Sequence, residues 1–420
     1  MKRPTTLIPF LATLLIACLP VKGTVASAQS LRLTPPAATV FAGERLEIAA
    51  PEEVAWEASG GTVDPARGRA TVYTAPAEPG RYTVTALDPA DPARRAVAVV
   101  TVLPKPQGYL GYALAGGRSF SAAVARDGTV WWWGQVKDAQ SAVPVQLDGV
   151  RGARSLAAAD SGLAVVTEDG ALVWVSGDLK TRRRVDSGVV FADATGYDTV
   201  VYVKPDGGLW LFDPSKDARL QRLRVGDREL QQPVAVWTFY RNGPFATLVA
   251  IDARGRAWRL DSRSSPDSLR PEPLAVASPR VVQVARLRTP PDTYNDRTYA
   301  VLLGEDGRLW YSDPLASLEV RPLEGPGPAV RFVAGSGAVL LAVDEAGEVW
   351  RLGGIGGRWA RVPGLKDVRQ VARGAEHSLA VRSDGSVFAW GKNTSAQLGD
   401  GTADDSDTPV EVLGLKARLP

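Results

Sequence analysis

Reactive side chains are scarce in this 420-residue chain, which has one cysteine, Cys18, one histidine, His377, and one methionine. A lone cysteine excludes an intramolecular disulfide, so an exported chain of this kind must be stable through its core alone. One histidine and one cysteine are too few for zinc, copper or haem sites of the usual types. The only Ser-His-acid candidate is Glu376-His377-Ser378, but neighbours on a strand point to alternate faces and cannot line up as orienter, base and nucleophile. His377 therefore reads as structural, and no catalytic residue is expected. No glycine-rich phosphate loop of either common type is present. The densest acidic run, Asp400, Asp404, Asp405 and Asp407, lacks the spacing of a calcium-binding hand and reads as a solvated loop. Neither metal nor cofactor is expected.

Net charge is also lacking once the ends are considered. The chain opens with Lys2 and Arg3, runs apolar from Leu7 to Val21 and reaches Ala26-Ser27-Ala28, the three regions of an export signal with cleavage between Ala28 and Gln29. Removing residues 1–28 takes Lys2, Arg3 and Lys22 from the 49 basic residues and leaves 46 against 46 acidic. A neutral mature chain with mixed charges gives no electrostatic reason to expect nucleic acid as a partner. Nothing after residue 28 is apolar for long enough to make a transmembrane helix. Leu15-Ile16-Ala17-Cys18 resembles the lipobox of bacterial lipoproteins, which makes Cys18 a candidate for lipidation. The expected location is secreted, or held in a bacterial periplasm or cell envelope.

What is present is β patterning. From Leu31 to Leu103 short runs alternate apolar and polar residues between Gly, Pro and Asp, as in half-buried strands. The stretch SGGTVDPARGRATVYTAPAEPGRYTVTA resembles bacterial immunoglobulin-like domains, with Trp56 and Tyr82 as packing anchors. The resemblance implies a sandwich that spaces or tethers the larger C-terminal domain, and Pro104, Pro106 and Gly108 mark a linker.

Beyond the linker a Gly-x-apolar-Trp pattern, usually preceded by Asp, recurs at Gly128, Gly170, Gly207, Gly255, Gly307, Gly347 and Gly385, with spacings of 42, 37, 48, 52, 40 and 38 residues. That period suits one four-stranded propeller blade, and the count predicts seven. Asp-Gly between apolar runs forms a tight hairpin. The strand after it is apolar on both faces, as in Val130-Trp131-Trp132-Trp133, so both faces must be covered. Trp131, Trp174, Trp210, Trp258, Trp310, Trp350 and Trp390 recur in register with the turns and read as packing between blades.

The last repeat, VRQVARGAEHSLAVRSDGSVFAWGKNTSAQLGDGTADDSDTPVEVLGL, closely resembles the regulator-of-chromosome-condensation repeat. The resemblance covers roughly Leu110 to Leu415 and is strongest at the two ends. It implies a seven-bladed β-propeller that binds other proteins. The expected fold is all-β: signal 1–28, immunoglobulin-like β-sandwich 29–104, linker 105–109, seven-bladed propeller 110–416 and tail 417–420. The expected function is that of an exported, non-catalytic binding or scaffold protein whose propeller face recognises a protein or cell-surface polymer. VAIDARGRAW and LAVDEAGEVW also look like the repeats of pyrroloquinoline-quinone proteins, so a propeller dehydrogenase is one alternative. A structural envelope lipoprotein anchored at Cys18 is another.

Recognition is usually placed on loops. One is enlarged between Arg288 and Thr298, and Tyr240 to Pro244 lies in the preceding repeat. Trp237, Phe239, Tyr240, Arg241, Tyr294, Asn295 and Arg297 are the candidate partner-binding residues, because Tyr, Trp and Arg anchor interfaces.

Overall fold

A computed structural model describes residues 31–420 apart from 44, 79, 92, 104–112, 195–197, 215–219, 224–229, 231, 240–246, 262–268, 290–296, 417 and 420. Cys18, Ala28 and Gln29 lie outside the described residues. All regular structure among those residues is strand, and no helix is long and apolar enough to cross a membrane.

Residues 37–103 form one six-stranded sheet with its own core. Arg45–Ala58 is its longest strand and alternates buried with open positions, placing Ile48, Val54 and Trp56 on the core side. Its first part pairs antiparallel with Arg67–Thr74 and its last residues with Gly80–Leu87. Ala37–Phe41 joins Arg95–Leu103 in parallel. Trp56 anchors this core and donates its indole N–H to Gly68 O at 3.0 Å. Tyr73 is the second anchor, fully buried with its hydroxyl on Gly60 O at 2.9 Å. Tyr82 instead covers Gly60 from a half-buried position.

Residues 114–411 form seven further four-stranded antiparallel sheets among the described residues, a propeller-like array in which the sheets are numbered one to seven in chain order. The strand order within every sheet is sequential, so no strand is exchanged between the first and the last. The innermost strands are Leu114–Gly116, Ala153–Ala158, Phe191–Ala194, Pro233–Phe239, Val281–Arg288, Val330–Ser336 and Val368–Arg373. Each sheet packs on the next, and the last packs on the first. Buried clusters straddle these junctions, as where Leu163 and Val165 of sheet two meet Phe120 and Trp132 of sheet one.

The repeated turn explains the repeated glycine. Gly128, Gly170, Gly207, Gly255, Gly307, Gly347 and Gly385 all have φ between 72° and 80°, a left-handed conformation that glycine adopts without steric cost. A second constraint acts between sheets. The glycine carbonyl accepts a hydrogen bond from an N–H at or just before the start of the next innermost strand: Ala153 on Gly128, Val189 on Gly170, Val281 on Gly255, Val330 on Gly307 and Val368 on Gly347, at 2.7–3.1 Å. At Gly207 the next strand begins with Pro233, which has no N–H to give. At Gly128, Gly207 and Gly347 a side chain would strike the neighbouring backbone, 2.9 Å from Asp367 Cα in the case of Gly347.

The tryptophans follow this frame with one correction. The third residue after the turn glycine is Trp131, Trp210, Trp258, Trp310 and Trp350 in five sheets but Val173 and Phe388 in the other two. Trp174 and Trp390 are displaced by one and two residues, and both are buried between sheets. Basic side chains lie over several of these rings, including Arg256 on Trp258 and Arg418 on Trp131 at 4.9 and 4.7 Å.

Gly347→Ala should destabilise the array by about 2–5 kcal/mol, combining a left-handed dihedral of about 1–2 kcal/mol with overpacking of about 1–3 kcal/mol. Gly353→Ala, which meets nothing within 4 Å, should stay within about 0.5 kcal/mol. Urea midpoints of the two variants check this.

Candidate interaction site at the mouth of the ring

The seven innermost strands converge on a small central cavity of about 110 Å³. Most of its lining is small or aliphatic, which lets the strands approach one another; Asp193, Arg286 and Arg373 stand out. Asp193 of sheet three is buried and accepts from the backbone N–H and hydroxyl of Thr238 in sheet four, at 3.1 and 3.2 Å. It also pairs with Arg286 of sheet five, whose Nε donates to Thr238 O at 2.7 Å. Burial pushes the Asp193 carboxyl up, and Arg286 and Thr238 oppose that shift. Three sheets are thereby joined by one polar network.

At one end the cavity opens into a mouth of about 330 Å³ formed where innermost strands turn into second strands, lined among the described residues by Arg118, Arg286, Arg288 and Arg373 and by one carboxylate, Asp160. The Asp160 carboxyl is pushed up by burial. A larger cleft of about 970 Å³ continues from the mouth over sheets six and seven, sharing Arg288 and Arg373 and adding Arg351, Lys392, Glu376 and Asp405. Arg373 lines both the mouth and the cleft. Its Nη1 donates to the Ser378 hydroxyl at 2.7 Å, while its Nε is buried without a partner. It makes no ion pair among the described residues. Burial, aided by the positive charge of Arg351 and opposed by Glu376, pushes its guanidinium down to about 10.

The residues expected to bind a partner are scattered relative to this mouth. Trp237 and Phe239 are buried in the core, Trp237 against Phe191 at 5.3 Å between ring centroids. They belong to a strand that is buried on both faces throughout its length; Trp237 lines the central cavity, and Phe239 lines neither the cavity nor the mouth nor the cleft. Arg297 is exposed and pairs with Asp313 at 3.6 Å. Tyr240, Arg241, Tyr294 and Asn295 lie outside the described residues. Sequence reasoning missed Arg118, Arg286, Arg351 and Arg373. The signal available for Arg286 and for Asp193 was a charge inside an innermost strand that is otherwise mostly apolar.

The acidic run is largely exposed, as a loop should be, yet part of it is stitched into the last sheet. Asp400 accepts from Thr402 N and Oγ1 and from Asn393 Nδ2, and Asp405 accepts from Asn393 N and Lys392. Asn393 at the centre is fully buried. The aspartates of VAIDARGRAW and LAVDEAGEVW are also structural. Asp252 and Asp344 accept the indole N–H of Trp258 and Trp350 at 3.0 and 2.8 Å and cap the turn between, which accounts for the Asp-x-x-Gly-x-x-Trp spacing without a quinone. No group of three or more potential metal ligands occurs among the described residues.

His377 closes the ring. Its Nε2 lies 2.8 Å from Ser121 Oγ in sheet one, and that hydroxyl is 2.9 Å from Gln397 O. A carbonyl can only accept, so the single serine proton goes to Gln397 and His377 donates from Nε2. Ser378 takes no part, being bound to Arg373. Around this contact Trp133 donates to Gln397 O at 2.9 Å and Gln370 accepts from Ala113 N at 3.0 Å. The residues expected as a tail extend the same junction: Leu419 is fully buried, and its carbonyl accepts from Arg126 Nε at 2.6 Å.

This last sheet also carries the clearest likeness to known proteins. Two models of the regulator of chromosome condensation (RCC1) repeat match residues 368–397 and 384–419. Sheet seven resembles an RCC1 repeat. Among curated relatives, protein pim1 of Schizosaccharomyces pombe is 27% identical over 232 residues, 52% of this chain and 40% of that protein. The regulator of chromosome condensation of Xenopus laevis is 45% identical over 53 residues, 13% of this chain and 12% of that one. The chain thus spans less than half the length of these relatives. Similar solved structures include Kap60 bound to yeast RCC1 (Prp20), at TM-score 0.49 and 14% identity over 74% of this chain and 87% of that one. PorZ of the Porphyromonas gingivalis type-IX secretion system gives TM-score 0.49 and 13% identity over 66% and 36%. The RCC1 match covers the His377 closure itself, since His377, Ser378 and Gln397 lie inside it.

Burial and the nearby Arg373 charge push the His377 imidazole down to about 3. The unfolded chain binds the proton near pH 6.5 and the folded chain does not, so stability is full above that pH and falls as the pH drops toward 3. The slope from this residue should approach about 1.4 kcal/mol per pH unit. Urea midpoints at pH 7.5 and 5 should show this component in the wild type and not in His377→Gln.

Proposed function

We propose that the protein is an exported binding or scaffold protein without catalysis of its own, and that it recognises a protein through the arginine-lined mouth of a seven-bladed propeller. The observation that carries this reading is the mouth itself: Arg118, Arg286, Arg288 and Arg373 are brought to one end by three different sheets. Side chains held on packed strand ends lose little freedom on binding, which favours recognition. The RCC1 repeat and its relatives support a regulatory or binding role, with the partner left to be found.

The N-terminal sheet fits an immunoglobulin-like spacer that holds the propeller away from a surface. Export rests on residues 1–28, with cleavage after Ala28, and the balanced charge of the remainder supports a partner other than nucleic acid. The intact mass of protein recovered from the source cell should correspond to a chain beginning at Gln29. A mass beginning at an acylated Cys18 would replace soluble export with a lipid anchor.

Capture with residues 29–420 as bait, against the extracytoplasmic proteins and wall polymers of the source cell, should retain a specific protein. That protein should be lost when Arg118 and Arg288 are both changed to Glu. Retention of a polymer alone would overturn the protein-partner reading, and retention unaffected by the double variant would move the site off this mouth.

A further inference from the structure

We propose that the cleft running from the mouth over sheets six and seven receives a carboxylate side chain of a polypeptide, held between Arg373 and Arg351. The inference rests on the binding reading above and assigns the chemistry of what is bound. Arg373 carries a buried Nε with no partner, although buried guanidinium donors are ordinarily satisfied. Its one strong contact is the neutral Ser378 hydroxyl, its Nη2 reaches only Ala375 O at 3.5 Å, and Glu376 offsets the charge in part without forming an ion pair. Arg351 lines the same cleft from the neighbouring sheet, and its positive charge disfavours the charged form of Arg373. An anion placed between them relieves that penalty and accepts from the Nη2 side of Arg373, whose present contact with Ala375 O is long at 3.5 Å, and a carboxylate suits a guanidinium partner.

The remaining lining selects the source of the anion. Glu376, Asp405 and Asp407 line the rest of the cleft, and Lys392 is already paired with Asp405 at 2.7 Å. A polyphosphate or nucleic acid would bring dense negative charge against these carboxylates. A polypeptide can set one acidic side chain on the arginines and neutral or basic ones against the acids. The cleft volume of about 970 Å³ accommodates such a segment.

The test uses the full chain and fluorescence anisotropy at low ionic strength, with a labelled peptide of alternating Glu and Gly, its Gln-Gly counterpart, and a labelled single-stranded DNA. The Glu peptide should bind at least tenfold more tightly than the Gln peptide. Arg351→Glu, a change at an exposed position, should weaken it at least tenfold with the thermal midpoint unchanged. Arg184→Glu, on an outer strand outside the cleft, should leave it unaltered. Equal binding of the Glu and Gln peptides, or no binding of either, would overturn the proposal while leaving the capture experiment to judge the wider reading. Tighter binding of the DNA than of the Glu peptide would overturn it in favour of a phosphate polymer.

Discussion

The closure between the first and last sheets is the constraint on which the array depends. Every sheet is apolar on both faces and is covered only by its neighbours, so a linear stack would leave two bare faces at its ends. Ser121, His377 and Gln397 remove those ends with buried hydrogen bonds that span 256 and 276 residues of sequence. Trp133, Leu379, Leu398, Leu415 and Leu419 fill the same junction. The polar contact is worth little in isolation, but leaving any member unpaired in that interior would cost about 1–3 kcal/mol. This explains why the chain keeps one histidine and buries it completely.

The turns were legible in the sequence because their determinants are local. A glycine with a left-handed dihedral, leading into an apolar strand, leaves the same trace each time, and the trace needs no knowledge of tertiary packing. The second duty of that glycine was hidden, since the hydrogen bond to its carbonyl comes from a residue 19 to 26 positions further on, at the next sheet. Closure was hidden for a related reason. His377 could be read as structural from its strand position, whereas its partner Ser121 lies in an ordinary run, Phe120-Ser121-Ala122-Ala123.

The site was the least legible part. Aromatic residues near long connections suggested an interface, but Trp237 and Phe239 are there because an innermost strand buries both faces. Arg118, Arg286 and Arg373 come from sheets one, five and seven, and Arg351 from sheet six; no spacing relates them. Charges at the inner ends of strands are common enough in sequence to pass unnoticed. Only convergence of the strands shows that several basic groups share one opening.

Because strands follow chain order within each sheet, contacts inside a sheet are local, and a chain emerging from its amino end can assemble six sheets one after another without waiting for distant segments. The exception is the seam, whose second half is the last part of the ring to be synthesised. A chain interrupted before residue 368 would therefore carry finished sheets around an unhealed gap, with the apolar faces of sheets one and six open to proteases and to other chains. Quality control of this protein reduces to whether its last sheet has arrived and docked.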